Sequence, residues 1–319
     1  AAGLPQRPID EGWTIGTGDS HGSGGAFSGV PPLARSPATY NCGVQDDFEK
    51  TQPGIASQPT RPPVPERYVG LWQRLILQRD SVPADVASNV FWLQTRGWHA
   101  DVRIPAARPD FSQVRGLSDC SRDQLLWLAQ QEGFAGVTEV EGEVCTWLRH
   151  TDFRPPTRSR GIGRMVFIDG DMIVETGLET RYLEIWERVP GSTGLSVALE
   201  RVDAQGRPLD ALERIVVAGE YMMHIRSRQC GPLAPAESLV ELIEREQCDD
   251  ERLRALVDFE VSFARQTPTG WRIQLSTLPF LEGTSIATSE ALPAPSSDGF
   301  VVIPGSPSTR WKVREWVDG

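Results

Sequence analysis

Four histidines and a few strand carboxylates are the residues of this sequence whose types could do chemistry. His99 and Asp101, and likewise His150 and Asp152, have the spacing i, i+2 in segments with β-strand composition. Alternate residues of a strand point to one side of a sheet, so each pair would share a face. A histidine beside a carboxylate titrates near neutral pH and can act as a general acid or base.

Further candidates lie in neighbouring predicted strands. Glu175 precedes Thr176-Gly177 and Glu184 precedes Trp186. A carboxyl group in a Trp-lined pocket would have a raised pKa and could act as an acid. Arg103 shares the face of His99 and could hold an anionic ligand. The residues that could stack or orient a planar or apolar ligand, in addition to Arg103, are Trp92, Trp98, Trp147, Trp186 and His224.

Each candidate also has a structural interpretation. His99 and His150 could be half-exposed surface residues, the glutamates could lie on a solvated face, and the tryptophans could fill a core. His224 alternates with core-like residues in Tyr-Met-Met-His-Ile-Arg, which is also typical of a satisfied core histidine. Arg149 alternates off the face of His150, so both side chains enter one lumen only if a β-bulge intervenes.

Several function classes are disfavoured. A net charge of -11 argues against nucleic acid and against an anionic membrane as partners. The sequence has no run of about 18 apolar residues, and it lacks the P-loop, Rossmann, GxSxG and HExxH motifs. Five cysteines without a CxxC pair indicate neither a zinc site nor a disulfide framework. We therefore predict no cofactor and no metal, and a cytoplasmic location; a removed signal peptide and the oligomeric state stay open.

The elements that must position these residues are mostly strands. Residues 90–95 and 98–104 flank Arg96-Gly97 as a hairpin, and Ser121 with Gln124 forms a capping box for a short helix that ends at residues 133–136. Strands at 137–140, 144–152, 164–168, 172–176 and 183–188 follow with regular turns. The pattern restarts with strand-like segments at 195–202, 215–226, 256–266, 271–277, 299–303 and 311–317 and a helix at 235–248.

This pattern predicts a mainly β fold of two tandem antiparallel barrels with short helices, because closure removes the exposed edges of a meander. Residues 1–66 contain ten Gly and ten Pro and are predicted to be a flexible leader. We assign residues 67–190 to the first barrel and residues 191–319 to the second.

A series of short motifs in fixed order carries a family resemblance. They are Leu71-Trp72-Gln73-Arg74, Trp92-Leu93-Gln94, Asp101-Val102-Arg103-Ile104-Pro105, Gly133-Phe134-Ala135-Gly136, Glu175-Thr176-Gly177, Glu184-Ile185-Trp186, Phe259-Glu260-Val261-Ser262-Phe263 and Gly270-Trp271-Arg272-Ile273. In this order the chain resembles the HRI1-type family of fungi and bacteria over residues 68–317. The resemblance implies a calycin-like pair of lipocalin-like barrels and no established catalytic residues.

Three functions are compatible with the sequence. The leading hypothesis is binding of an apolar or aromatic small molecule in a barrel cavity. The second is a cofactor-independent lyase, isomerase or hydrolase that uses His with Asp or Glu. The third is a protein-interaction module that docks through the Pro-rich leader.

Overall fold

Eight antiparallel strands close into a barrel, in which β8 pairs back onto β1. The computed structural model describes residues 61–289, 291–303 and 309–319, so the predicted leader lies outside the described residues except for 61–66. The barrel strands are β1 (Gly70–Arg79), β2 (Asn89–Gln94), β3 (Trp98–Ile104), β4 (Glu132–Glu141), β5 (Val144–Asp152), β6 (Ile162–Phe167), β7 (Met172–Gly177) and β8 (Tyr182–Arg188).

The remaining eight strands form a second antiparallel sheet, in the order β14-β13-β12-β11-β10-β9-β16-β15. They are β9 (Ser196–Val202), β10 (Glu213–Ala218), β11 (Tyr221–Arg226), β12 (Glu260–Thr267), β13 (Gly270–Ser276), β14 (Ser285–Ala287), β15 (Phe300–Val301) and β16 (Arg310–Val317). The mainly β fold is confirmed, but the second sheet is an open half-barrel. Its edge strands β14 and β15 are three and two residues long, too short to provide a closing ladder.

The described residues also contain three short α-helices and three 3-10 turns, Glu66–Tyr68, Leu117–Asp119 and Pro279–Leu281. α1 (Arg122–Leu128) begins at the predicted capping box, in which Ser121 and Gln124 bond reciprocally. α2 (Leu239–Glu246) lies inside the predicted helical segment, and α3 (Asp250–Val257) was not predicted. Leu253, Leu256 and Val257 are the buried residues of α3. The strand predicted at 256–266 therefore began too early, because its first two residues end this helix and β12 begins at Glu260.

Two further predictions need correction. Residues 133–136 do not end α1; they belong to β4, where two glycines sit in a fully paired strand. The single predicted strand at 215–226 is a hairpin, β10 and β11, which turns at Gly219 with φ +56°. Gly219 adopts the left-handed conformation and ends β10, although the apolar residues on both sides of it continue one sequence pattern.

The alternation along β3 decides what enters the barrel. Ala100, Val102 and Ile104 point outward into a core shared with the second sheet, in which Phe91 stacks on Phe263 with ring centroids 4.8 Å apart. His99, Asp101 and Arg103 therefore point to the lumen. The predicted face of β3 is confirmed, and it is the inner one.

A β-bulge changes the alternation in β5. Ala135 pairs with Thr151, but the adjacent Gly136 pairs with Arg149, so His150 is the extra residue. Beyond it the two faces exchange, and Asp152 lies on the side of Arg149, with Arg149 Nη1 2.6 Å from Asp152 Oδ2. The expected shared face of His150 and Asp152 is therefore not formed.

Gly136 is required by the close approach of β5 at this bulge. A Cβ atom at Gly136 would lie 1.9 Å from the carbonyl oxygen of Leu148. We expect Gly136→Ala to lower the free energy of unfolding by at least about 2 kcal/mol in urea denaturation, because the backbone of β5 must move. Gly116→Ala is the matched control, since its Cβ would meet nothing within 4 Å; equal stability of the two variants would contradict this account of the bulge.

Candidate functional site

A cavity of about 870 Å³ occupies one end of the closed barrel and opens past the loops that follow β5 and β11. Tyr68, Trp72, Met165 and Phe167, which do not line the cavity, pack in one cluster with its tryptophans. The lining residues that carry aromatic or ionisable groups include Trp92, Asp101, Arg103, Glu132, Phe134, Trp147, Arg149, Asp152, Glu175, Tyr182, Glu184 and Trp186. The barrel is thus half filled and half hollow.

Aromatic rings form the inner wall of this cavity. Trp92 meets Trp147 and Trp186 edge to face, with ring centroids 5.6 Å and 6.0 Å apart. Trp72 stacks behind Trp92 at 6.3 Å and holds it in place. The pairings Trp72 with Trp92, Trp92 with Asp101 and Asp101 with Phe134 make these residues direct neighbours across β1 to β4.

Ion pairs cross the lumen beside the aromatic wall. The Arg103 guanidinium contacts both oxygens of Asp101, at 2.8 Å and 3.2 Å, and lies 3.4 Å from Glu184 Oε1. Glu184 also accepts a hydrogen bond from Arg74 Nη1 at 2.8 Å. Burial raises the pKa of Asp101 in spite of Arg103. These contacts hold Arg103 across the cavity, 5.6 Å and 6.0 Å from the ring centroids of Phe134 and Trp186.

Glu175 is the most unusual acid in the cavity. Its carboxyl group is held by Tyr182 Oη at 2.6 Å and by the indole N–H of Trp186 at 3.0 Å. Burial, reinforced by the charge of Glu184, raises the pKa of Glu175 to about 8, in spite of these hydrogen bonds and of Arg103. Gly163 opposite leaves room for the carboxyl group, since a Cβ there would lie 2.9 Å from Glu175 Oε1. Glu175 therefore carries a proton at neutral pH.

His99 lies on the lumen side of β3, but it does not contact Asp101. Its Nδ1 is 3.0 Å from Thr138 Oγ1, and Thr138 donates its own proton to Gln94 Oε1 at 2.7 Å. Thr138 must then accept from His99, which fixes the proton on Nδ1. Burial, with Arg149 nearby, holds the pKa of His99 well below its ordinary value, so the ring is neutral.

His150 and Trp98 lie together outside the lumen wall. Their ring centroids are 5.7 Å apart, and Arg214 of β10 lies 4.2 Å from the Trp98 ring and 3.3 Å from His150 Nδ1. His150 also borders the cavity, at the bulge in β5. The structure therefore brings Glu175, Glu184, Asp152, Arg103, Trp92, Trp147 and Trp186 together at the cavity and places Trp98 elsewhere.

His224 belongs to β11 of the second sheet and does not line the cavity of the closed barrel. Its ring nitrogens lie 2.9 Å from Glu260 Oε1 and 3.0 Å from Glu213 Oε1. Burial alone would lower the pKa of His224, but Glu260 and Glu213 outweigh it and raise the pKa to about 9. This half-buried imidazolium is held by two carboxylates of its own sheet.

Tyr182 and Phe134 are two cavity residues that the sequence analysis did not single out. Tyr182 lies one residue before the predicted start of β8, although it alternates in phase with Glu184 and Trp186. Phe134 was assigned to the end of a helix. Extending both strands by the alternation rule would have found each of them.

The chain is a mainly β protein with one closed barrel, and comparisons with known proteins add little to that class. No family model and no curated protein matches the sequence, so the resemblance to the HRI1-type family is not confirmed. Among solved structures, a lipocalin-like protein from Bacteroides uniformis ATCC 8492 is 10% identical and covers 39% of this chain and 99% of its own, with a TM-score of 0.26. That TM-score is too low to support an argument.

Two searches of the described residues concern metals and membranes. No three His, Cys, Asp or Glu side chains in residues 61–289, 291–303 and 309–319 are grouped as a metal site. Within the same residues, no helix is both long and apolar enough to cross a membrane.

Proposed function

We propose that the closed barrel binds a small molecule with a planar, aromatic or apolar body. The observation that carries this proposal is the cavity of about 870 Å³ that runs from the barrel lumen to the loops after β5 and β11, with Trp92, Trp147 and Trp186 on its inner wall. This volume is within the range of ordinary ligand sites, and aromatic walls with a few convergent polar groups are their usual lining. Tryptophan faces offer stacking area to any flat ring.

The charges at the cavity favour an oxygen-bearing, electron-rich group on that ligand. Seven arginines line the cavity, against six carboxyl side chains, and Glu175 is protonated at neutral pH. The site is thus locally positive in a chain whose net charge is -11. A positive site of this kind concentrates anionic or polarised groups.

Binding of 8-anilinonaphthalene-1-sulfonate, an aromatic anion, measures this function. We expect saturable binding to the wild type and roughly 3- to 10-fold weaker binding to Trp147→Phe, because an aromatic contact of the wall is reduced. Trp311→Phe is the matched control, since Trp311 is an equally buried strand residue of the second sheet. Equal loss in both variants, or no saturable binding, would contradict a site in the closed barrel.

An acid–base enzyme is a second candidate, favoured by one observation. Glu175 lines the cavity and holds a proton at neutral pH, which is the state that a general acid needs. In this case Glu175, and not a histidine, would be the acid of a lyase, isomerase or hydrolase. Once a substrate is identified, Glu175→Gln should lose turnover while it keeps binding; undiminished turnover would exclude this role.

A further inference from the structure

We propose that the ligand carries an anionic group, a carboxylate or a sulfonate, and that Arg149, Arg154 and Arg228 bind this group where the cavity opens. These three residues are called the arginine cluster. This inference rests on the proposed function, because it names the ligand class of the same cavity. The ligand is then an aromatic acid, with its flat body on the tryptophan wall and its charge at the arginine cluster.

Arg228 is a half-buried guanidinium whose partners are backbone carbonyls. Its Nε donates to Leu256 O at 2.9 Å and its Nη2 to Phe153 O at 2.5 Å, and its Nη1 lies 3.4 Å from Asp152 O. The rings of Phe153 and Phe259 cover it, with centroids 5.2 Å and 5.1 Å away. Carbonyls orient the guanidinium but do not neutralise it, and within the described residues Arg228 forms no ion pair with a carboxylate. A half-buried cation without a counter-charge favours an anion beside it.

Asp152 holds the arginine cluster together. Its Oδ2 accepts from Arg149 Nη1 at 2.6 Å, and its Oδ1 accepts from the backbone N–H of Arg154 at 2.9 Å. Arg154 Nη1 lies 3.5 Å from Glu132 Oε2. Two carboxylates, Asp152 and Glu132, therefore face three guanidinium groups, and the charge of Arg228 is left over. All five side chains line the cavity.

The arginine cluster is held in place and still has hydrogen-bond donors for a ligand. The Arg149 guanidinium lies 3.7 Å from the centroid of the Phe134 ring, and a Cβ at Gly161 would lie 3.4 Å from its Nε. In the described part of the chain, Arg228 uses three of its five N–H groups in hydrogen bonds and Arg149 uses one. Arginine N–H groups form strong charge-assisted hydrogen bonds with an oxyanion, which accepts several of them.

A row of paired residues connects the tryptophan wall with the arginine cluster. Trp92 pairs with Asp101, Asp101 with Phe134, and Phe134 with Asp152. Directly paired residues share one face of a sheet, and neighbouring strands lie about 4.8 Å apart, so the row is roughly 14 Å long. All four residues line the cavity. An aromatic acid of two or three rings has the length to contact Trp92 and the arginine cluster at the same time.

Binding of 8-anilinonaphthalene-1-sulfonate compared with N-phenyl-1-naphthylamine tests the proposal, because the two fluorescent probes differ in one sulfonate. At pH 7 we expect the wild type to bind the sulfonate about 10-fold more tightly, the effect of one good charge-assisted hydrogen bond. Arg228→Met should remove most of this preference and Arg154→Met part of it, and neither should change the affinity for the neutral probe. Arg228→Lys, which keeps the charge, should retain the preference in part.

Arg108→Met is the matched control for the two methionine variants. Arg108 is half-buried like Arg154 and has one carboxylate partner, Glu282, but it does not line the cavity. This variant should keep the preference of the wild type. A loss in Arg108→Met equal to that in Arg228→Met would show that the net charge of the protein, and not the arginine cluster, selects the sulfonate.

The outcomes separate this inference from the proposed function. Equal binding of both probes by the wild type, or a preference that survives in both Arg228→Met and Arg154→Met, overturns the anion site and leaves the proposed function standing. Saturable binding of neither probe overturns the proposed function and this inference with it. Thermal unfolding shows that each variant is folded. Arg154→Met decides the question if Arg228→Met does not fold, since the Arg154 side chain donates no hydrogen bond within the described residues.

Discussion

Glu175→Gln is expected to make the protein more stable than the wild type above about pH 8, while the two proteins are equally stable near pH 5. The pKa of Glu175 is raised to about 8 in the folded chain from 4.5. Between these values the folded state holds a proton that the unfolded state has released. The contribution of the Glu175 proton to the free energy of unfolding is therefore complete below pH 4.5. It is lost as the pH rises toward 8, by roughly 3–5 kcal/mol in total.

Glutamine reproduces the protonated acid without its titration. It can donate to Tyr182 and accept from Trp186, the same two partners that Glu175 has. Urea denaturation of both proteins at pH 5, 7 and 9 measures the difference. Glu187→Gln, at an exposed residue of the adjacent strand β8, is the matched control and should follow the wild type. If Glu175→Gln follows the wild type at pH 9 as well, the buried acid is not protonated.

His224→Leu is expected to lower the free energy of unfolding by about 3 kcal/mol at pH 6, because it removes the cation that lies between Glu213 and Glu260. Glu213 and Glu260 then keep only their outer partners Arg201 and Arg226. The pKa of His224 is raised to about 9 from 6.5. The stability from this charge is complete below pH 6.5 and is lost as the pH rises through 9. The difference in the free energy of unfolding between wild type and His224→Leu should therefore become smaller at pH 9 to 10.

Denaturation at pH 6 and pH 10 checks this second prediction. His150→Gln is the matched control, because His150 is exposed and its loss should cost less than about 1 kcal/mol. Adding Glu213→Gln and Glu260→Gln to His224→Leu should restore part of the stability at pH 6, since the two carboxylate charges no longer face each other across an apolar side chain. A gap that does not change with pH would show that His224 packs as a neutral side chain. Its role in the sheet would then be steric.

Local patterns predicted most of the closed barrel. The capping box at Ser121 located α1, and alternation along β3 placed His99, Asp101 and Arg103 on one face. Both signals are carried by residues two to four positions apart, which a single sequence displays directly. The Trp92, Trp147 and Trp186 wall followed from the same alternation once the strands had closed into a barrel.

The features that the sequence did not predict depend on pairings between strands that are distant in the chain. The bulge that separates His150 from Asp152 arises where Gly136 meets Leu148, and neither sequence segment shows it alone. Glu213 and Glu260 meet at His224 only because β10 and β12 both flank β11. The open second sheet has the same origin, since alternation predicts strands but not whether the last one returns to the first.

The central claim, a small-molecule site in the closed barrel, is tested most directly by the indole N–H signals of ¹⁵N-labelled protein during titration with 2-naphthol. These signals are assigned with single Trp→Phe variants. We predict saturable shifts for Trp92, Trp147 and Trp186, which line the cavity, and unchanged positions for Trp271 and Trp311 of the second sheet. Shifts confined to Trp271 and Trp311, or no saturable shift at all, would contradict the account.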